Sequence, residues 1–294
     1  MKTLLCCICL LLVGNAFSIK SHTTIESGVT LYSEYYPNPN AKFKGTLIFE
    51  NGAGTAMEEW TQNKRFLNCA KQAGSLFLYD RSGLGKSPPD LHLSLDNPLT
   101  GKFVNQKLMK LLKQNKANPP YILVAHSYGA MYAGYFTLKY PNLVKGLILV
   151  DPVPKSFYFS KKITTRHESG IAIAKKQSVV TIYQKFTGSD AESIYELLGF
   201  EKAKQEIALL GTISDDIPVI IISSTKMESY KPIEEDWYSS QKQWLNDNPE
   251  SKIITVNAGH FIQQDRPEVV CEQIRDLANN IKKIIPRKIT NLYE

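Results

Sequence analysis

Cysteine is scarce in this 294-residue chain: of five, Cys6, Cys7 and Cys9 crowd the first nine positions and only Cys69 and Cys271 serve the rest. Two cysteines far apart cannot build a thiolate cage. The five histidines, His22, His92, His126, His167 and His260, include no pair at ligand spacing, so no metal centre is expected. No Asn-x-Ser/Thr acceptor, internal repeat or low-complexity tract occurs. A concentrated positive charge is also missing. The net charge is +7, from 35 basic and 28 acidic residues, but the lysines are scattered and no basic block with interleaved aromatics exists. Nucleic-acid binding is therefore not expected, while the excess charge suits peripheral contact with an anionic surface such as lipid headgroups. Two phosphate-binding patterns fall short. Gly83-Leu84-Gly85-Lys86-Ser87 ends like a P-loop, yet Asp80 stands where its first glycine should be. Gly52-x-Gly54 lacks a third glycine, since Met57 occupies that place. No nucleotide and no organic cofactor is implied.

What is present is ordinary globular composition, 43% hydrophobic and 21% charged, enough for one large α/β domain with an insertion. Residues 1–18 read as a secretory signal. Lys2 gives a short positive start, residues 4–13 an apolar stretch too short to span a bilayer comfortably, and Ala16 or Ser18 a cleavage point. The expected location is periplasmic or secreted, or membrane-anchored if the signal stays. Both remaining cysteines then belong to an exported protein, which permits one disulfide.

Strand-like and helix-like stretches alternate along the chain. Residues 29–36 alternate like an edge strand, and 46–50, 75–79, 121–124, 147–150, 218–223 and 252–256 are apolar runs of strand length. Between them, 57–73, 103–116, 131–140, 233–245 and 267–284 read as helices. Parallel strands buried on both faces look like continuous apolar runs, and connections of roughly 20–30 residues suit crossover helices. Residues 154–216 interrupt the rhythm with a lysine- and aromatic-rich helical segment. In it Ser189-x-x-Glu192 reads as a capping box, opening a helix that stops at Gly199.

Chemistry concentrates at Ala125-His126-Ser127-Tyr128-Gly129, a G-x-S-x-G pattern with alanine in its first place. It lies between a strand and a helix, where a tight corner lifts the serine hydroxyl clear of the sheet. A serine needs a base, and the base needs an orienting acid. His260 follows the last strand and so stands at the same sheet edge as Ser127, the edge where doubly wound sheets place their sites. His126 adjoins the serine, but adjacent side chains diverge, so it reads as packing in the corner. The acid stays open. Asp151 ends its strand at the same edge, although Asp151-Pro152 also suits a plain turn. Glu228, in the loop after the next strand, is the alternative. Asn51-Gly52-Ala53-Gly54 lies after a strand and before a helix, so the Ala53 and Tyr128 N–H groups could form an oxyanion hole.

Five stretches together carry a family resemblance: Glu50–Gly54, Tyr79–Ser87, the Ser127 corner, Gly146–Pro152 and Ala258–Pro267. In this order the chain resembles the α/β-hydrolase-fold superfamily, over about residues 45–284. The resemblance implies a doubly wound, mostly parallel sheet over residues 19–153 and 217–294, with a helical cap at 154–216 inserted after the sixth strand. It implies Ser127 as nucleophile, His260 as general base, and Ala53 and Tyr128 as oxyanion donors. Two departures stand out. Asn51 replaces a common histidine, and the usual aspartate after the seventh strand is absent, which turns attention to Asp151, with Glu228 behind it. In this fold the first and last major helices share a sheet face, implying a Cys69–Cys271 disulfide. The expected activity is an exported serine hydrolase acting on a small-molecule or lipid ester. A binding protein on a retired hydrolase fold, or a cofactor-free lyase or haloperoxidase-type enzyme on the same triad, are the alternatives. Phe157, Tyr158, Phe159, Ile163, Ile171, Ile173 and Val179 offer apolar surface for an acyl chain or for packing alone.

Overall fold

The computed structural model describes residues 18–26, 28–156, 158, 161–227 and 237–281. Residues 1–17 of the signal, Phe157, Phe159 and Glu228 lie outside the described residues. Eight strands form one sheet: β1 Ile19–Glu26, β2 Val29–Tyr36, β3 Thr46–Glu50, β4 Ser75–Tyr79, β5 Tyr121–His126, β6 Val144–Val150, β7 Val219–Ser224 and β8 Lys252–Val256. Their order is β1-β2-β4-β3-β5-β6-β7-β8. The β1–β2 and β2–β4 pairs are antiparallel and all others are parallel. The sheet is the doubly wound, mostly parallel one that the resemblance implies.

The apolar runs explain why the strands bury on both faces. Side chains along a strand alternate sides. Ile48, Phe77, Leu123, Leu147 and Ile221 enter one core, with α3 (Gly101–Gln114) and α4 (Gly129–Lys139). Their neighbours Phe49, Leu78, Val124, Ile148 and Ile222 enter the other, with α2 (Lys64–Ala73) and α10 (Pro267–Asn280). The α2 and α10 helices pack side by side, and there Cys69 and Cys271 come together with Cα atoms 6.2 Å apart and sulfurs within bonding distance. That separation lies inside the range a disulfide spans.

Between β6 and β7 the chain inserts α5 (Lys161–Ala174), α6 (Val179–Lys185) and α7 (Gly188–Leu210), which pack on one another and, through α7, on α3 and α4. After β7 come α8 (Trp237–Gln241), a 3-10 turn at Lys242–Trp244, then β8 and the short α9 (Ile262–Asp265).

Five local expectations need correction. The 29–36 strand is not at the edge: β1 pairs outside it. The expected 57–73 helix is two, α1 (Glu58–Thr61) and α2, because Asn63 leaves helical geometry and its side chain accepts from the Arg65 and Phe66 N–H groups. The described part of the expected 233–245 helix, from residue 237 on, is α8 followed by the 3-10 turn at Lys242–Trp244. The expected Ser189–Glu192 capping box does not form. Thr187 is the cap, its hydroxyl accepting from Asp190 N–H, and Glu192 turns inward. Nor does the helix stop at Gly199. It continues to Leu210, and Gly199 is where α7 meets the loop before α3: a Cβ there would sit 2.3 Å from the Leu99 carbonyl oxygen.

Candidate active site

Ser127 occupies the corner between β5 and α4 with φ of 51°, a left-handed conformation that costs a non-glycine residue about 1–3 kcal/mol. Backbone bonds hold it there. Its N–H donates to Val150 O at 3.0 Å, and its carbonyl accepts from Val153 N–H at 3.2 Å. The corner is tight against β3: a Cβ on Gly129 would lie 2.5 Å from Asn51 O, so only glycine fits. Position 125 lies within β5 and tolerates alanine.

The other two predicted side chains converge on Ser127. His260 Nε2 stands 2.8 Å from Ser127 Oγ, and His260 Nδ1 stands 2.7 Å from Asp151 Oδ2. Asp151 sits just past β6 with φ of 43°, its N–H donating to Ile222 O at 2.7 Å. Its carboxylate is wholly buried, and a buried charge is costly unless its acceptor sites are filled. Oδ1 accepts from Ser224 N–H at 3.0 Å, Trp237 Nε1 at 2.8 Å and Gln241 Nε2 at 3.1 Å. The end of β7, which lacks an aspartate, thus supplies a donor to the carboxylate from β6.

His260 is fixed through its own loop. Ser224 Oγ donates to Ala258 O at 2.6 Å, and Gly259 N–H donates to Asp265 Oδ2 at 2.8 Å. Burial lowers the His260 pKa below its ordinary value, and this outweighs the Asp151 hydrogen bond that raises it. A neutral imidazole can accept a proton from the serine.

His126 does more than pack in the corner. Its Nε2 donates to His260 O at 3.1 Å, and its Nδ1 faces Glu59 Oε2 at 3.3 Å. A carbonyl and a carboxylate both accept, so the ring carries protons on both nitrogens. Burial pulls the His126 pKa down, but Glu59 more than offsets it and holds the pKa above its ordinary value. The resulting cation, with its ring centroid 4.6 Å from that of His260, also disfavours a charge on His260.

The loop after β3 is clamped from both sides. Gly52 N–H donates to Glu59 Oε1 at 3.1 Å, and Gly54 N–H donates to Glu192 Oε2 at 3.0 Å. Arg81 donates to Asn51 O at 2.9 Å and to Gly52 O at 2.6 Å, while pairing with Glu192 at 2.7 and 3.1 Å. Ala53, between the two committed peptides, borders a cavity of about 270 Å³ together with Ser127, Tyr128 and His260. Asn51 is not a substitute for a histidine in the chemistry: its side chain donates to Tyr79 O at 3.0 Å. Ile163 borders the cavity, whereas Val179 is buried and Ile171 and Ile173 pack against the core. Tyr158 is exposed.

The sequence reading gave no place at the site to Arg81, Glu59, Glu192, Glu196, Trp237 or Gln241. A signal existed for two of them. Glu192 and Glu196 lie in register with the buried stripe Phe200, Ala203 and Ile207 of α7, where carboxylates belong only if they have partners. Among the described residues, no group of three or more His, Cys, Asp or Glu side chains is placed to hold a metal ion.

Sheet order, serine corner and the histidine loop after β8 are those of one class of protein. The chain belongs to the alpha/beta hydrolase family, whose model matches residues 47–273. It is similar to the uncharacterized protein YqjL of Bacillus subtilis (strain 168), with 28% identity over 79% of this chain and 83% of that one. Over 39% of its length it is 28% identical to the (lyso)-N-acylphosphatidylethanolamine lipase of Bos taurus, of which it spans about a third, 32%. The haloalkane dehalogenase DatA of Agrobacterium tumefaciens C58 shares the fold with a TM-score of 0.62 at 14% identity, over 89% of this chain and 96% of that one.

Proposed function

We propose that this hydrolase is an exported serine hydrolase that cleaves a carboxylic ester or a related acyl bond. The observation that carries the reading is the unbroken hydrogen-bonded line from Ser127 Oγ through the His260 ring to the buried Asp151 carboxylate. In this reading Ser127 Oγ attacks the carbonyl carbon while its proton passes to His260 Nε2. The oxyanion meets the N–H groups of Ala53 and Tyr128, and Asp151 stabilises the imidazolium. Collapse expels the alcohol, which takes the proton from His260. Water activated by His260 then hydrolyses the acyl-enzyme and frees Ser127.

A serine at position 127 also argues for acyl chemistry over displacement at an alkyl carbon. Attack on a saturated carbon would leave an ether, which water does not cleave under mild conditions. An acyl ester on serine, by contrast, turns over. The cavity of about 270 Å³ lies just under the usual range for ligand pockets, roughly 300–1,000 Å³, which favours a short acyl or alcohol group over a long lipid chain. The apolar stretch at residues 4–13 supports export.

The test is labelling with a serine-directed fluorophosphonate, read by intact mass. The expected outcome is one adduct, lost in Ser127→Ala, with esterase activity falling at least about a thousandfold in Asp151→Asn and little in Glu228→Gln. No adduct on the folded protein would sink the reading in favour of a binding protein. The same spectrum reports whether the first 18 or so residues are removed.

A further inference from the structure

The inserted helices carry much of the chain's excess positive charge on their outside. Between positions 161 and 185 stand six cations, Lys161, Lys162, Arg166, Lys175, Lys176 and Lys185, against one acid, Glu168. That is a net +5 in 25 residues, where the whole chain has +7. All six cations are exposed. Helix α5 buries only His167, Gly170 and Ala174, a stripe at helical spacing that turns toward α7: a Cβ on Gly170 would lie 2.2 Å from Ile194 Cδ1. The cations of α5 lie off that stripe, and Lys185 ends α6. Arg166 pairs with Asp190 at 3.0 Å, whereas none of the five lysines makes an ion pair with a described residue.

Like charges gathered on one surface repel each other, and an anionic partner relieves that repulsion. The composition of the patch narrows the partner. Sites for single phosphate groups favour arginine, whose flat fork meets phosphate bidentately. Five of these six cations are lysines, point charges suited to the diffuse field of an anionic bilayer. Val180 stands in α6 between Lys176 and Lys185 with 42% of its surface exposed. A lipid interface buries such a side chain, whereas a phosphate backbone leaves it in water. The aromatic ring of α6, Tyr183, packs inward against Gly83, so α5 and α6 present no exposed ring on which a base could stack.

We infer that the outer face of α5 and α6 is a docking surface for an anionic lipid bilayer, with the lysines at the headgroups and Val180 at the interface. In the sequence these lysines are spread over 25 positions, and the α5–α6 turn gathers them. Helix α5 also lends Ile163 and Arg166 to the wall of the cavity beside Ser127. Docking on its outer face holds that cavity about 10 Å, one helix diameter, from the headgroups. The surface acts whether or not Ser127 is a nucleophile.

The test is co-sedimentation of the intact protein with vesicles of phosphatidylcholine, with and without phosphatidylglycerol. The wild type binds the vesicles that contain phosphatidylglycerol, and releases them when salt is raised to about 1 M, where screening shortens the reach of a charge to about 3 Å. Each lysine at an anionic leaflet strengthens binding about fivefold. Replacing Lys161, Lys162, Lys175 and Lys176 together by Gln therefore weakens binding at least about a hundredfold. The control removes the same charge from exposed lysines at the sheet edge where the parallel strands begin, with Lys42, Lys44, Lys139 and Lys252 replaced by Gln. These stand far beyond a Debye length of about 10 Å from the docked face, so binding stays within about threefold. If the first variant does not fold, Lys161→Gln with Lys162→Gln replaces it, and the loss is at least about tenfold. No preference for phosphatidylglycerol in the wild type, or equal losses in the two sets of variants, overturns the proposal. Tighter binding to duplex DNA than to these vesicles at equal phosphate concentration overturns it in favour of a nucleic-acid surface.

Discussion

At the scale of single residues, two histidines with opposite pKa shifts define the site. His260 is held neutral by burial, and His126 is held charged by Glu59 despite burial. Only the neutral form of His260 can take the Ser127 proton. Since its folded pKa lies below the ordinary value near 6.5, the base is fully available at neutral pH and is lost only in acid. The pH profile of kcat/KM should be flat through pH 7 and fall on an acid limb with its midpoint below about 6.5. Replacing His126 by Gln removes the adjacent cation, so the midpoint should move to higher pH. A limb that stays put or moves to lower pH would show that His126 does not act on His260 electrostatically.

At the scale of elements, α7 reaches across the sheet edge to hold a loop that local sequence does not hold. Glu192 bonds Gly54 N–H and pairs with Arg81, which in turn bonds the Asn51 and Gly52 carbonyls. The inserted helices and the Ala53 loop thus form one mechanical unit. Glu192→Gln takes the charge off the carboxyl that makes both short guanidinium bonds and leaves Arg81 only Glu196, 3.8 Å away. Breaking such a pair costs about 3–5 kcal/mol, so urea unfolding should shift to a clearly lower midpoint with little change in slope. Fluorophosphonate labelling of the protein that remains folded should slow as well, because the loop beside Ser127 loses its anchor. A midpoint within the error of wild type would refute the clamp.

At the scale of the whole molecule, the first and last major helices close the chain on one sheet face. Cys69 and Cys271 bring α2 and α10 together across 202 positions of sequence. We expect a non-reducing digest of the protein to contain one cross-linked peptide pair carrying these two cysteines. A disulfide closing so long a loop typically stabilises by about 2–4 kcal/mol, so reduction should lower the melting temperature. Recovery of both cysteines as separately alkylated peptides would rule the bridge out.

The sequence by itself determined the order of the strands from β2 onward, the serine corner and the histidine after the last strand. These are local features: apolar runs buried on both faces need no long-range information, and a strand-to-helix turn with a small residue on each side is legible within ten residues. It put Asp151 first as the acid, with Glu228 behind it. Only the tertiary structure set the Asp151 carboxylate against His260, because the donors that make a buried charge tolerable there, Ser224 N–H, Trp237 and Gln241, come from more than 70 positions away. It also decided that Glu192 faces Arg81 instead of capping its helix, and that α7 runs through Gly199, where the Leu99 carbonyl leaves no room for a side chain. A residue's hydrogen-bonding partners and the space around it are properties of the packed chain. Helix caps, buried charges and the shape of the cavity were therefore settled only when distant segments met.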